Sequence, residues 1–216
     1  MDKLKYEVVL FDAANTLIHK PALWDNMIRV LKDHGQDINQ AELRKKHKLI
    51  SEIIHFPDRT NSDFYRKFNK ELLLSLGIIP DDTLLDDIFN ACTYLPWQAF
   101  EDTEYLKEIN LPKAILSNFN SSLKDHLDTL FGENVFSEII GSEKEKVGKP
   151  SVEFYQRALE ILAIEPAKIL YVGDSLKLDV IPAKSLGIDA WLIDRDDNFT
   201  YFDKRITSLN ELKDII

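Results

Sequence analysis

Asp12 closes the apolar run "VVLF" and is followed by "AANTL". A buried strand that delivers a carboxylate to a loop is one way to present a nucleophile or a metal ligand. Other chemically capable side chains occupy comparable places. Ser117 and Asn118 follow an apolar run in "LSNFN", and Asp174 and Asp179 follow another in "YVGDSLKLD". Lys149 lies in the charged loop "GSEKEKVGKP", immediately before a predicted helix. In an open parallel sheet, residues beyond the carboxyl ends of the strands converge on one crevice. Three carboxylates crowded there repel one another, and one would be protonated unless cations intervene. Mg²⁺ suits such a site, because it takes a few protein oxygens and keeps waters for a substrate phosphate. Lys149 adds a second positive charge, and Ser117 with the amides at the start of its helix forms an anion site. An aspartate held against phosphorus, with Mg²⁺ and lysine spreading the developing charge, suits an aspartyl-phosphate intermediate.

The elements that must position these residues are legible as short apolar runs. Glu7–Phe11, Ala114–Leu116, Ile169–Val172 and Ala190–Ile193 read as buried strands, with Phe136–Ile140 a weaker fifth. Helical patterns alternate with them. One runs from Asn118 to about Phe131, a second from Pro150 to about Ala163, and a third over Val180–Leu186 with Gly187 as its terminator. Ser208, three residues before Glu211, forms a capping box for a last helix. This alternation predicts an α/β domain, a Rossmann-like parallel sheet with helices on both faces. Between Pro21 and about Leu95 the pattern turns helical, with no convincing strand. The helices are Ala22–His34, Gln40–His55 (stopped by Pro57), Ser62–Leu76 and Asp81–Thr93. The expected organisation is therefore a discontinuous core, 1–18 and 97–216, interrupted by an all-α bundle at 19–96.

The formal net charge of -10 opposes a nucleic-acid or anionic-membrane partner, although a local basic pocket can still receive a small phosphate. No apolar run is long enough to span a bilayer. The single cysteine, Cys92, has no internal partner for a disulfide, which points to a reducing, cytoplasmic setting. The sequence says nothing of oligomeric state.

Taken in order, "FDAANTL", "LSNFN", "VGKP" and "VGDSLKLD" resemble the four signature motifs of the haloacid dehalogenase (HAD) superfamily. The helical insertion after the first motif resembles that family's C1-type cap, and the resemblance covers essentially the whole chain. It implies that Asp12 is the nucleophile and first Mg²⁺ ligand, and that Thr16 and Ser117 orient nucleophile and phosphate. It implies that Lys149 pairs with both, that Asp174 is a metal ligand, and that Asp179 supports the metal site from behind. The family's metal also takes a backbone carbonyl from the second residue after the nucleophile, which Ala14 can supply. The implied substrate is a small phosphorylated compound.

Two positions depart from the family pattern. Its phosphatases usually read DxD, the second Asp protonating the leaving oxygen. Ala14 cannot do this, and losing a positioned acid typically costs about 10²–10⁴-fold in rate. Asn15 replaces the usual glycine, a mild change because Asn tolerates left-handed geometry. Carbon–halogen hydrolases of the family also lack the second Asp, but they typically lack the metal-type motif seen here and carry an aromatic at the Ala14 position. Phosphonate-cleaving relatives do carry Ala there and need a cap lysine; Lys32, Lys45, Lys46 and Lys48 are all available. "FDAANTL" with "SNFN" looks closest to a branch reading DAxGTL and SNFD. A third possibility is a non-catalytic protein that binds a phosphoryl ligand.

Several residues have plainer readings. Asp179 can be an N-cap, and Asn118 either a helix-start residue or a substrate contact. "RKKHK", Arg44 to Lys48, reads as a solvated helix face. Trp24, Phe64 and Phe68 read as bundle core. His19 is a candidate replacement for the missing acid, set against the simpler reading of a linker histidine.

Overall fold

Strand β1 (Val8–Phe11) is buried along its whole length. The computed structural model describes residues 5–54, 56 and 60–216, which fall into two compact units. One unit comprises the chain up to His19 and from Ala99 onward; the other is Lys20–Gln98.

After β1 the chain makes a tight loop into the two-residue β2 (Ile18–His19) and enters the helical unit. Its helices are α1 (Ala22–Asp33), α2 (Gln40–Ser51), α3 (Ser62–Ser75) and α4 (Asp82–Cys92). Three of the four starts have a side-chain cap. Asn39 accepts from the amides of Ala41 and Glu42, Asn61 from Phe64, and Asp81 from Leu84. Each such cap stabilises its helix by about 1 kcal/mol. The amphipathic faces meet in a core of Met27, Leu31, Leu43, Phe68, Leu72 and Ile88, with Trp24 and Phe64 packed at its margin. His55 and Pro57, the expected end of the second helix, lie outside the described residues; α2 ends at Ser51.

The chain returns through β3 (Gln98–Ala99), which pairs with β2, and a 3₁₀ turn at Glu101–Lys107. The α/β alternation follows: β4 (Lys113–Ser117), α5 (Leu123–Phe131), β5 (Glu138–Gly141), α6 (Ser142–Glu145), α7 (Val152–Leu162) and β6 (Ile169–Gly173). A π-type turn at Leu176–Val180 leads into α8 (Ile181–Ser185) and β7 (Asp189–Ile193). Last come β8 (Arg205–Ile206) and a 3₁₀ turn at Leu209–Asp214, which begins with the expected Ser208–Glu211 capping box.

The six-stranded sheet has the order β5-β4-β1-β6-β7-β8, and every pair is parallel. Val8 and Leu10 of β1 belong to the core packed by Phe154, Tyr155 and Ala158 of α7 and Ala183 of α8. The period-2 alternation of a strand turns Val9 and Phe11, equally buried, to the other face. From β1 the chain crosses to β4 and β5 on one side; from β6 it proceeds to β7 and β8 on the other. The connections therefore reverse between β1 and β6, and a crevice opens beyond their carboxyl ends.

Three local expectations are corrected. The helix after Asn118 starts only at Leu123, because Asn120 Oδ1 accepts from the amide and hydroxyl of Ser122 and closes a turn first. Pro150 is not in the first turn of α7. It follows Lys149 through a cis peptide bond, in a turn closed by the Ser151 amide on the Gly148 carbonyl, and Ser151 is the N-cap. Asp179 is not an N-cap either. Helical structure begins earlier, at Leu176, and Ser175 caps it by accepting from the Leu178 amide.

Candidate active site

Asp12 follows β1 directly, and its amide still donates to the Val172 carbonyl of β6 at 2.9 Å. The sheet thus fixes the backbone that carries the carboxylate. Three side chains hold the carboxylate itself. Oδ1 accepts from Ser117 Oγ at 3.1 Å and from Lys149 Nζ at 2.5 Å; Oδ2 accepts from Thr16 Oγ1 at 3.2 Å. Thr16 reaches back because the loop is closed tightly. The amides of Leu17 and Ile18 both donate to the Ala13 carbonyl, and Asn15, at φ 61, donates to the Ile18 carbonyl. The left-handed turn falls on the residue type that tolerates it best after glycine.

Lys149 is buried, and its ammonium bridges two carboxylates: Asp12 Oδ1 and, at 2.7 Å, Asp179 Oδ1. The Tyr171 hydroxyl lies 3.3 Å from the same nitrogen and donates to Asp179 Oδ1 at 2.7 Å. Asp179 Oδ2 accepts from the Ser175 amide at 2.9 Å. Asn118 clamps the lysine's backbone from both sides: Oδ1 accepts from the Lys149 amide at 2.7 Å, and Nδ2 donates to the Lys149 carbonyl at 2.8 Å. Its side-chain amide is thus engaged with the lysine loop, neither starting a helix nor turned wholly to a ligand.

The two glycines of the lysine and aspartate motifs are explained by close approach. A Cβ on Gly173 would lie 2.4 Å from Asp179 Cγ, and one on Gly148 would lie 2.7 Å from Asn118 Oδ1. Only glycine lets these side chains fold back onto the strand end and the lysine loop.

Asp12, Asp174 and Asp179 each offer a carboxylate oxygen within 4.8 Å of the others, the one cluster of this kind among the described residues. Three carboxylates against one ammonium leave an excess of negative charge in a largely buried site. Burial, opposed by Lys149 and reinforced by Asp179 and Asp174, raises the Asp12 carboxyl to about 7. Burial alone would lower the Lys149 ammonium's affinity for its proton, but Asp12 and Asp179 carry it above the ordinary lysine range. The lysine stays charged at neutral pH. A divalent cation would balance the remaining carboxylates, and an all-oxygen donor set selects a hard ion of the Mg²⁺ type. Asp12 and Asp179 each have both carboxylate oxygens accepting hydrogen bonds from protein groups.

The structure therefore brings together Asp12, Thr16, Ser117, Asn118, Lys149, Asp174 and Asp179. His19 stacks on Phe100, with ring centroids 3.8 Å apart and planes within 16°. The expectation of a solvated "RKKHK" face needs correction at Arg44 and His47. His47 packs edge-on to Trp24 and Phe68, and the Arg44 guanidinium lies 5.2 Å from the Trp24 ring centroid. Two site residues escaped the sequence reading, Tyr171 and Tyr155. The Tyr155 hydroxyl donates to the Leu178 carbonyl at 2.6 Å, which ties α7 to the turn bearing Asp179. For Tyr171 the signal was a hydroxyl-bearing aromatic in an otherwise buried apolar run, a residue that normally requires a partner.

Comparison with known proteins identifies the family and the fold. The chain is 30% identical over 207 residues to haloacid dehalogenase-like hydrolase domain-containing protein 3 of Danio rerio, covering 88% of this chain and 85% of that protein. It is 29% identical over 189 residues to the (S)-2-haloacid dehalogenase of Xanthobacter autotrophicus, covering 84% of this chain and 72% of that one. A shorter match, 37% over 87 residues and 38% of each chain, is to the glyceraldehyde 3-phosphate phosphatase of Methanocaldococcus jannaschii. Among solved structures, the HAD-hydrolase YfnB of Bacillus subtilis superposes with a TM-score of 0.66 over 98% of both chains at 19% identity, a likeness of fold. The sequence model of the haloacid dehalogenase-like hydrolases matches residues 6–187, and the chain belongs to that family.

Proposed function

We propose that this hydrolase is a Mg²⁺-dependent phosphatase that works through an aspartyl-phosphate on Asp12. The observation that carries the reading is the buried bridge from Lys149 to both Asp12 and Asp179, beside a third carboxylate, Asp174. A nucleophilic carboxylate needs one oxygen aimed and its charge kept. Ser117, Thr16 and Lys149 supply the aim; Lys149 pulls the Asp12 pKa down against the burial that raises it, and a bound cation would favour the charged form further. The bound cation would be held by Asp12, Asp174 and the Ala14 carbonyl, and would supply charge stabilisation for the phosphoryl group.

In this reading an Asp12 oxygen attacks phosphorus, and the bond from phosphorus to the ester oxygen breaks. The leaving oxygen keeps the electron pair. Lys149 and Ser117 lie on the Asp12 side of the reacting group and stabilise charge on the transferred phosphoryl oxygens. Water then attacks the phosphorus of the aspartyl-phosphate, releasing inorganic phosphate and restoring the carboxylate. Ala14 offers no proton to the leaving oxygen. Aryl and acyl phosphates, whose leaving groups are stable as anions, are the preferred substrate class over alkyl phosphates. The helical unit, over about 19–96, acts as the cap that selects among small phosphorylated compounds.

A panel of aryl, acyl and alkyl phosphates, assayed with Mg²⁺ and after chelation, tests the proposal. Turnover that survives chelation, or survives Asp12→Asn, refutes it. The likeness to a haloacid dehalogenase supports one alternative, carbon–halogen hydrolysis at the same Asp12. Against it stands the carboxylate cluster, which that chemistry does not need. Metal-independent halide release from a 2-haloacid, with no phosphate release from any ester, would favour the alternative.

A further inference from the structure

Thr16 is fully buried, so its backbone carbonyl must find a partner. The tight loop gives it none, because the neighbouring amides of Leu17 and Ile18 both turn to Ala13. The partner comes from far along the chain: Arg195 Nη2 donates to the Thr16 carbonyl at 2.7 Å. The same guanidinium holds Asp102 with two bonds, Nη1 at 2.8 Å and Nη2 at 3.0 Å, and lies 3.7 Å from the centroid of the Phe100 ring. Asp102 also accepts from Ser208 Oγ at 2.9 Å and from the Leu209 amide at 2.8 Å. The loop carrying Arg195 is itself well built. Asp194, just after β7, accepts from the amides of Asn198 and Phe199 and faces Arg205 at 3.7 Å.

We propose that Arg195 and Asp102 are a positioning pair for catalysis, holding the Thr16 carbonyl so that the Thr16 hydroxyl keeps Asp12 aimed. The proposal rests on Asp12 being the nucleophile. The pair is internally neutral, so it adds little net field at Asp12; its action is geometric. Arginine is the side chain for the task, because its planar fork grips a carboxylate and a carbonyl at once, which an ammonium does poorly. Through Asp102 the grip extends to the capping box at Ser208. The 3₁₀ turn at Leu209–Asp214 and the loop carrying Thr16 are thereby tied into one polar network between segments far apart in sequence.

The test is a double-mutant cycle on p-nitrophenyl phosphate with Mg²⁺. Arg195→Met should lower kcat by about 10–10²-fold, the scale of a slightly misplaced catalytic group, with KM changed less than about twofold. In a Thr16→Val background, where the hydroxyl is already gone, the same substitution should cost less than about threefold. Equal losses in the two backgrounds would mean that Arg195 acts independently of Thr16, and would overturn the proposal. Amide exchange supplies a readout that needs no substrate. Arg195→Met should speed exchange at Leu17 and Ile18 by about tenfold or more while the most protected sheet amides change little; unchanged loop exchange refutes the positioning role. Should Arg195→Met fail to fold, Arg195→Lys is expected to show the same effects in smaller degree. A wild-type protein that cleaves no ester refutes the phosphatase reading alone, and the exchange result then decides the positioning role.

Discussion

Gly173→Ala places the heaviest demand on the site for the smallest chemical change. The new Cβ would sit 2.4 Å from Asp179 Cγ and 2.6 Å from both Asp179 Cβ and Oδ2, where ordinary contact begins near 3.4 Å. Asp179 must retreat by about 1 Å, and it has no slack. Its two oxygens accept from Lys149 at 2.7 Å, Tyr171 at 2.7 Å and Ser175 at 2.9 Å. A shift of that size takes such bonds past the distance at which they count. Each charge-assisted bond contributes about 1.5–3 kcal/mol, and breaking a buried ion pair costs about 3–5 kcal/mol in total. The expected loss is thus about 3–5 kcal/mol, or roughly 10 °C in thermal midpoint for a chain of this size. Because Lys149 loses one of its two carboxylate anchors, kcat should fall by about 10–10²-fold beyond what the stability loss explains at a temperature where the variant is folded. Calorimetry and steady-state kinetics on p-nitrophenyl phosphate report the two quantities. A variant within about 2 °C of wild type and with unchanged kcat would show that Asp179 is not held as described, and the reasoning about the lysine bridge would fail with it.

Three further outcomes follow from the same geometry. Ala14→Asp restores a carboxyl two residues after the nucleophile; it should raise kcat on alkyl phosphates by about 10²-fold or more and on aryl phosphates far less, and equal effects on both would show that leaving-group protonation is not limiting. Asn118→Ala removes both bonds to the Lys149 backbone and should cost about 1–3 kcal/mol in urea unfolding, with kcat reduced more than KM is raised. His47 is held neutral by burial, and by Lys48 and Arg44, with its pKa lowered to about 4 from 6.5. The unfolded chain takes up this proton below about pH 6.5 while the folded chain does not, so the contribution to stability is complete above that pH and is lost as pH falls towards 4. The loss amounts to at most about 3 kcal/mol, and urea midpoints at pH 7.5 and 4.5 should converge more in His47→Leu than in wild type.

How much of this was legible beforehand follows from which forces act locally. β1, β4, β6 and β7 are apolar runs largely buried on both faces, and such runs carry their own signature, whereas β5, with Glu138 exposed, reads more weakly. β8, with only two residues, carries none, and α6 hides in a charged loop because its polar residues have no face to declare. The displaced helix starts at Leu123 and Leu176 share one cause. Asn120 and Ser175 offer the backbone local hydrogen bonds, and whether such bonds close a turn or cap a helix depends on partners a single sequence does not display. Seven of the eight residues expected at the site have their side chains brought together because strand ends in a parallel sheet converge there; the eighth, Ala14, was expected to act through its carbonyl. Arg195 and Tyr171 were not foreseen. One serves a backbone carbonyl and the other a buried carboxylate, and neither task leaves a motif of its own.

The web around Asp12 also explains how an alanine can stand where phosphatases of this family carry their acid. Asp12 is held by its strand through the bond to Val172, by β4 through Ser117, by the lysine loop through Lys149, and by its own loop through Thr16. None of these bonds uses the side chain of residue 14, and the loop closes on the backbone of Ala13, Asn15, Leu17 and Ile18. The second position is therefore structurally silent. Removing its carboxyl takes away a proton donor and one negative charge without loosening Asp12. A site already carrying three carboxylates against one ammonium is, if anything, relieved by that loss. If Asp12 is the nucleophile, as proposed, the substitution changes which bonds the site can break rather than whether Asp12 is aimed, and leaving-group acidity, more than substrate shape near Asp12, is the variable along which turnover should be sorted.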